Sequence, residues 1–106
     1  MNKTYWRIER QKVTNTECDL RSLNGIQNWN FQELNLYKNR IVDVNALSEM
    51  KNIVKLDLSA NKITDVGALR NLSQLVELDL SQNQIKDFSS LEKHQNFKNY
   101  KIGQQK

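Results

Sequence analysis

The feature that most constrains this chain is a phrase written twice. "LDLSANKITDV" at residues 56–66 returns as "LDLSQNQIKDF" at residues 78–88, 22 residues later. Self-similarity at a fixed period means one structural unit used repeatedly. Three consecutive units are plain: residues 31–52, 53–74 and 75–96, with an incomplete one over 97–106. Within them Leu34 and Leu36, Leu56 and Leu58, Leu78 and Leu80, then Tyr100 and Ile102 form alternating apolar pairs. Period-two alternation predicts a short strand with one buried face. Asn39, Asn61 and Asn83 follow each pair by three residues, and Ile41, Ile63 and Ile85 by two more. An amide at that place can satisfy backbone groups at a sharp bend. Val44, Val66 and Phe88, then Leu47, Leu69 and Leu91, continue at a three-residue spacing that suits a tight helical or 3₁₀ turn. A single unit cannot bury its own leucines, so neighbours must stack.

These units match L-x-x-L-x-L-x-x-N-x-I, and the chain resembles the leucine-rich repeat family on that basis. Their length and the "N-x-I-x-D-[VF]" turn are similar to the short class found in the type-1 phosphatase regulatory subunit, axonemal dynein light chain 1 and the bacterial internalins. The resemblance implies an α/β solenoid. About five short parallel strands line its concave side, and short helical or 3₁₀ returns line the convex side. The strands are expected near residues 6–8, 34–36, 56–58, 78–80 and 100–102. Residues 1–106 then form one domain, with residues 1–30 as a divergent N-terminal capping repeat. In that cap "WRIERQKV" places Trp6 and Ile8 at the leucine pair, Gln11 at the asparagine and Val13 at the isoleucine. Its second half overruns the repeat by six residues, and Thr16 with Asp19 resembles a helix start.

Charge and composition remove several classes. The net charge of +4 sits at the ends: residues 1–12 carry +3, residues 13–92 carry −3, and residues 93–106 hold four lysines and no acid. Basic ends around an acidic body make no phosphate-binding stripe. No apolar run approaches the roughly 18 residues of a spanning helix. The start "MNKTYWRIER" lacks the apolar stretch of a secretory signal. One cysteine, Cys18, points to a reducing compartment, hence a cytoplasmic location, with nucleus and cytoskeleton as variants. The single histidine, His94, falls in register with Met50 and Leu72, a packing position. With no nucleophile–base pair, no set of metal ligands and no cofactor motif, the chain is expected not to be an enzyme and to need no cofactor or metal.

The outward strand positions then carry function. Aligning the units gives four columns: Tyr5, Glu33, Lys55, Glu77, Asn99; Arg7, Asn35, Asp57, Asp79, Lys101; Glu9, Tyr37, Ser59, Ser81, Gly103; and Arg10, Lys38, Ala60, Gln82, Gln104. Their middle is acidic and their flanks basic, and Tyr37 is an aromatic of the kind enriched at binding hot spots. The expected partner-binding set is Arg7, Glu33, Asn35, Tyr37, Lys38, Lys55, Asp57, Glu77, Asp79 and Lys101. Asp43, Asp65 and Asp87 also recur at 22 residues, but their place after the bend gives them a turn role. The expected function is a protein-interaction module whose concave face takes a partner through the partner's lysines or arginines. A nucleic-acid-associated scaffold using the basic ends, like the spliceosomal leucine-rich repeat protein, and a secreted internalin-like adhesion module are the alternatives. A homodimer through an open edge strand at residues 100–102 is a further expectation, which sedimentation at several concentrations checks.

Overall fold

The computed structural model describes residues 6–17, 19–92 and 97–106. Six three-residue strands form one sheet in chain order: β1 Arg7–Glu9, β2 Lys12–Thr14, β3 Glu33–Asn35, β4 Lys55–Asp57, β5 Glu77–Asp79 and β6 Asn99–Lys101. From β2 to β6 every pairing is parallel, and each leucine meets its counterpart, Leu34 with Leu56 and Leu56 with Leu78. The returns are short 3₁₀ segments: Ile26–Asn28, Asn45–Leu47, Gly67–Asn71 and Ser89–Leu91. Between sheet and returns lies one continuous core, in which Leu36, Ile41, Leu47, Ile53, Leu58, Ile63, Leu69 and Leu80 have no exposed surface.

The asparagines join the units. Asn61 Nδ2 donates to the carbonyls of Leu58, Ser59 and Leu36 at 3.0, 3.1 and 2.9 Å, while its Oδ1 accepts the Ile41 N–H at 3.0 Å. Asn83 repeats this one unit on, with Leu80, Ser81, Leu58 and the Ile63 N–H. Asn39 reaches Asn15 O, Leu36 O and the Leu20 N–H. Gln105 closes the series, its Nε2 on Leu80 O and Ile102 O and its Oε1 on the Ile85 N–H. Asn39, Asn61 and Asn83 are buried, so each amide satisfies backbone groups that water cannot reach.

The aspartates of the bend act locally, as their recurrence implies. Asp43, Asp65 and Asp87 each accept the N–H two residues on, Asn45, Gly67 and Ser89, at 2.8 Å. Ser22 holds the equivalent place in the first return, accepting the Asn24 N–H at 3.2 Å. There the chain turns through Gly25, whose φ of 95° lets the Ile26 N–H reach Leu23 O at 3.0 Å. Just before each ladder amide the backbone is left-handed without glycine: Lys38, Ala60, Gln82 and Gln104 have φ of 58°, 55°, 57° and 59°. Such a conformation costs a side-chain-bearing residue about 1–2 kcal/mol, which the surrounding bonds offset.

The N-terminus differs from the expected frame. The first strand is not the first parallel strand: β1 and β2 form an antiparallel hairpin pairing Ile8 with Val13, and Val13 sits at the Leu34 register. Trp6 and Ile8 therefore are not the leucine pair. Ile8 is 57% exposed, while Trp6 is buried edge-on against Trp29, ring centroids 5.0 Å apart. Counting from Val13 to Leu34 leaves no overrun. Leu23 and Ile26 fill the places of Val44 and Leu47, and Glu17 is left-handed like Lys38, with φ 55°. Thr16 and Asp19 start no helix, because the Asn15 and Glu17 N–H groups are bonded to Asn35 O and Tyr37 O of the next unit.

Asn61→Ala is expected to lower unfolding free energy by about 1–3 kcal/mol, since it strands buried polar groups. A change under about 0.5 kcal/mol in chemical denaturation, the range of an ordinary surface substitution, would contradict the ladder. Asn15 takes the Leu36 register and is buried with Oδ1 unpartnered among the described residues. Asn15→Leu should therefore raise stability, by about 1 kcal/mol in the same measurement; a loss would show that the oxygen is satisfied in solution.

Candidate functional site

Alternation along each strand that buries the leucines turns their neighbours outward onto the concave face. Parallel register then aligns these residues across the sheet. The first row is Lys12, Glu33, Lys55, Glu77 and Asn99. Lys55 Nζ lies 3.5 Å from Glu33 and 3.7 Å from Glu77, so this row alternates in sign and neutralises itself. Pairs this exposed add little stability, and their effect is on the charge pattern. The second row is Thr14, Asn35, Asp57, Asp79 and Lys101. Asp57 and Asp79 stand side by side on strands about 4.8 Å apart.

Each of these aspartates shapes the strand exit with one oxygen. Asp57 Oδ1 accepts the Ser59 N–H and hydroxyl at 2.9 and 2.6 Å; Asp79 Oδ1 accepts the same groups of Ser81 at 3.0 and 2.6 Å. Asn35 does likewise with the Tyr37 N–H at 3.1 Å. That leaves the second carboxylate oxygen of Asp57 and Asp79 without a partner among the described residues, and no ion pair with a lysine or arginine reaches either. Glu33, Asn35, Lys55, Asp57, Glu77, Asp79 and Lys101, seven of the expected set, line one open trough of ≈ 230 Å³.

The other three lie elsewhere. Tyr37 and Lys38 line a separate groove of ≈ 310 Å³ at the rim where the strands leave the sheet, beside Ala60, Lys62, Gln82 and Lys106. The fourth column is thus the left-handed bend rather than part of the strand face. Arg7, on β1 opposite Thr14, shares the sheet face one strand beyond the trough. Lys12 was missed, because the misplaced first strand put Tyr5 in its column; the alternation of Val13 with Lys12 and Thr14 was the available signal. Tyr5, Cys18 and His94 lie outside the described residues. Among the described residues no group of three or more His, Cys, Asp or Glu is placed to hold a metal ion.

Among the described residues two groups have shifted acidities. Hydrogen bonds from Ser89, side chain first and backbone second, hold the Asp87 carboxyl below its usual range. Burial pushes the Tyr100 phenol up. Neither lies in the trough. A depressed carboxyl supports the fold above its unfolded pKa and stops doing so as pH falls through the folded one, so Asp87 contributes throughout the neutral range.

A stacked parallel sheet with 3₁₀ returns and an asparagine ladder defines a repeat solenoid. The family profile described as Leucine Rich repeats (2 copies) matches residues 30–71 and again 51–93, and the chain belongs to that family. Among solved structures it is similar to an internalin (inlF) from Listeria monocytogenes, with a TM-score of 0.84 and 32% identity over 89% of this chain. It is also similar to internalin C2 of the same organism, with a TM-score of 0.69 and 28% identity over 91% of this chain. The chain spans 28% of the first internalin and 53% of the second. No curated protein matches it. No helix among the described residues is long and apolar enough to cross a membrane.

Proposed function

We propose that this chain is a non-catalytic protein-interaction module whose concave trough receives lysine or arginine side chains of a partner. One observation carries this: among the described residues the adjacent carboxylates of Asp57 and Asp79 form no ion pair, Lys101 on the next strand included, in a row beside one that neutralises itself. Charge left uncompensated on an open, rigid face favours a partner of opposite sign and speeds its approach. Family membership supports binding over catalysis, and the trough is open rather than an enclosed pocket where chemistry is sheltered. Against the nucleic-acid alternative stand Glu33, Glu77, Asp57 and Asp79, four carboxylates on the face a backbone would approach. Of the compartments weighed from sequence, the single cysteine supports the cytoplasm, and fractionation of the source cells checks it.

The structure decides how to test the trough. Charge reversal would break the bonds that Asp57 and Asp79 make to Ser59 and Ser81. Asn35 shows that an amide keeps such a turn, so Asp57→Asn with Asp79→Asn removes charge and preserves shape. Capture of partners from a source lysate on the immobilised chain, followed by titration of the captured protein, is expected to show about tenfold weaker binding to the double variant, ~1.4 kcal/mol, with an unchanged melting temperature. Arg70→Glu and Lys86→Glu, on exposed positions away from the trough, should leave affinity unchanged. Binding that survives the aspartate pair and fails on these controls would move the site off the concave face.

A further inference from the structure

We infer that the rim groove is a second binding site, separate from the trough, that accepts a short run of aspartate or glutamate side chains from a partner polypeptide. The groove has a volume of ≈ 310 Å³ and brings together Lys38, Lys62 and Lys106, with no Asp or Glu among the described residues that line it; the α-carboxylate of Lys106 offsets one of their three positive charges. Sequence separation hides this cluster, since the three lysines lie on different repeats.

Its floor is fixed. Asn39 and Asn61, both buried ladder amides, line it, and the left-handed backbone at Lys38, Ala60 and Gln82 sets the direction in which the chain leaves each strand. The Lys62 N–H is bonded to Ile41 O at 2.9 Å and the Lys106 N–H to Asn83 O at 2.7 Å, which anchors both lysines from below. Ala60 has the smallest side chain of the lining. Tyr37, 38% exposed at one wall, offers a ring against which an aliphatic stem can pack.

The charges are available. Lys38 has a carboxylate neighbour, Glu17 at 3.5 Å, but both side chains are more than half exposed and exchange partners with water readily. Lys62 and Lys106 have no ion pair among the described residues. The occupant is bounded in length by what lies next to the groove. On the same strands, just before the bend, stand Asp57 and Asp79. A long polyanion such as a nucleic acid would run from the lysines onto these carboxylates, whereas a few acidic side chains end within the groove. Together the two sites describe a surface that is acidic along the strands and basic at their exit.

The test uses the full chain, isotope-labelled, and a hexaglutamate peptide at low salt. Amide shifts are expected at Tyr37, Lys38, Ala60, Lys62 and Gln82. Lys38→Glu with Lys62→Glu should weaken the peptide about fivefold or more, with high salt doing the same. The milder pair Lys38→Gln with Lys62→Gln, which keeps stem packing, should weaken it in the same direction even if the reversed pair folds poorly. The Asp57→Asn, Asp79→Asn variant should bind the peptide at least as well as the parent, which separates this site from the trough. Absence of shifts in the groove, an equal response at Lys51 and Lys86, or tighter binding of an oligothymidylate would overturn the inference.

Discussion

Everything in this molecule hangs on the side-chain amide of an asparagine that stands at each bend. A chain that turns sharply out of a three-residue strand leaves buried N–H and C=O groups facing neither helix nor sheet. Unpaired, each such group would cost as much as a lost hydrogen bond. Asn61 supplies donors to its own strand and to the preceding unit, and an acceptor for the preceding unit's isoleucine. One side chain thus closes its own bend and ties it to its neighbour. The bonded partners lie 3, 20 and 25 residues back, so the amide works only if the unit length is held. Gln105 shows that the chemistry rather than the residue is required: a longer amide makes the same three kinds of bond.

With the bend fixed, the rest follows by packing. Leucines of successive strands stack in register, and the 3₁₀ returns close the core from the other side with Leu47, Leu69 and Leu91. The concave face is the outer side of the same register. It needs no dedicated scaffold, because residues one place off the core are aligned for nothing extra. Here that alignment yields a neutral row, a row with two adjacent carboxylates, and a basic groove at the rim.

How much of this was legible from sequence depended on whether independent signals agreed. In the regular units leucine pair, asparagine, isoleucine and aspartate all point to one frame, so strands fell within a residue of their expected places. The trough was legible for the same reason. The N-terminus misled because Trp6 and Ile8 imitate an alternating pair, while Asn15 occupies a leucine place and hides the true one. A hairpin before the first repeat leaves no trace in the period. The left-handed bend was invisible, since Lys38, Ala60 and Gln82 carry no preference for positive φ. With it went the groove, which exists only because that bend gathers side chains from four units.

Native-state hydrogen exchange at the isoleucine amides tests the ladder most directly. The Ile41 and Ile63 N–H groups are bonded to side chains, Asn61 and Asn83, rather than to a backbone ladder. If those amides stitch the repeats, both protons exchange only with global unfolding, as slowly as those of Leu58 and Leu80, which are bonded to Asp79 O and Lys101 O of the next strand. Asn83→Ala should then release Ile63 while Ile41 stays protected. Exchange of Ile63 in the parent chain as fast as an exposed turn amide would contradict the account.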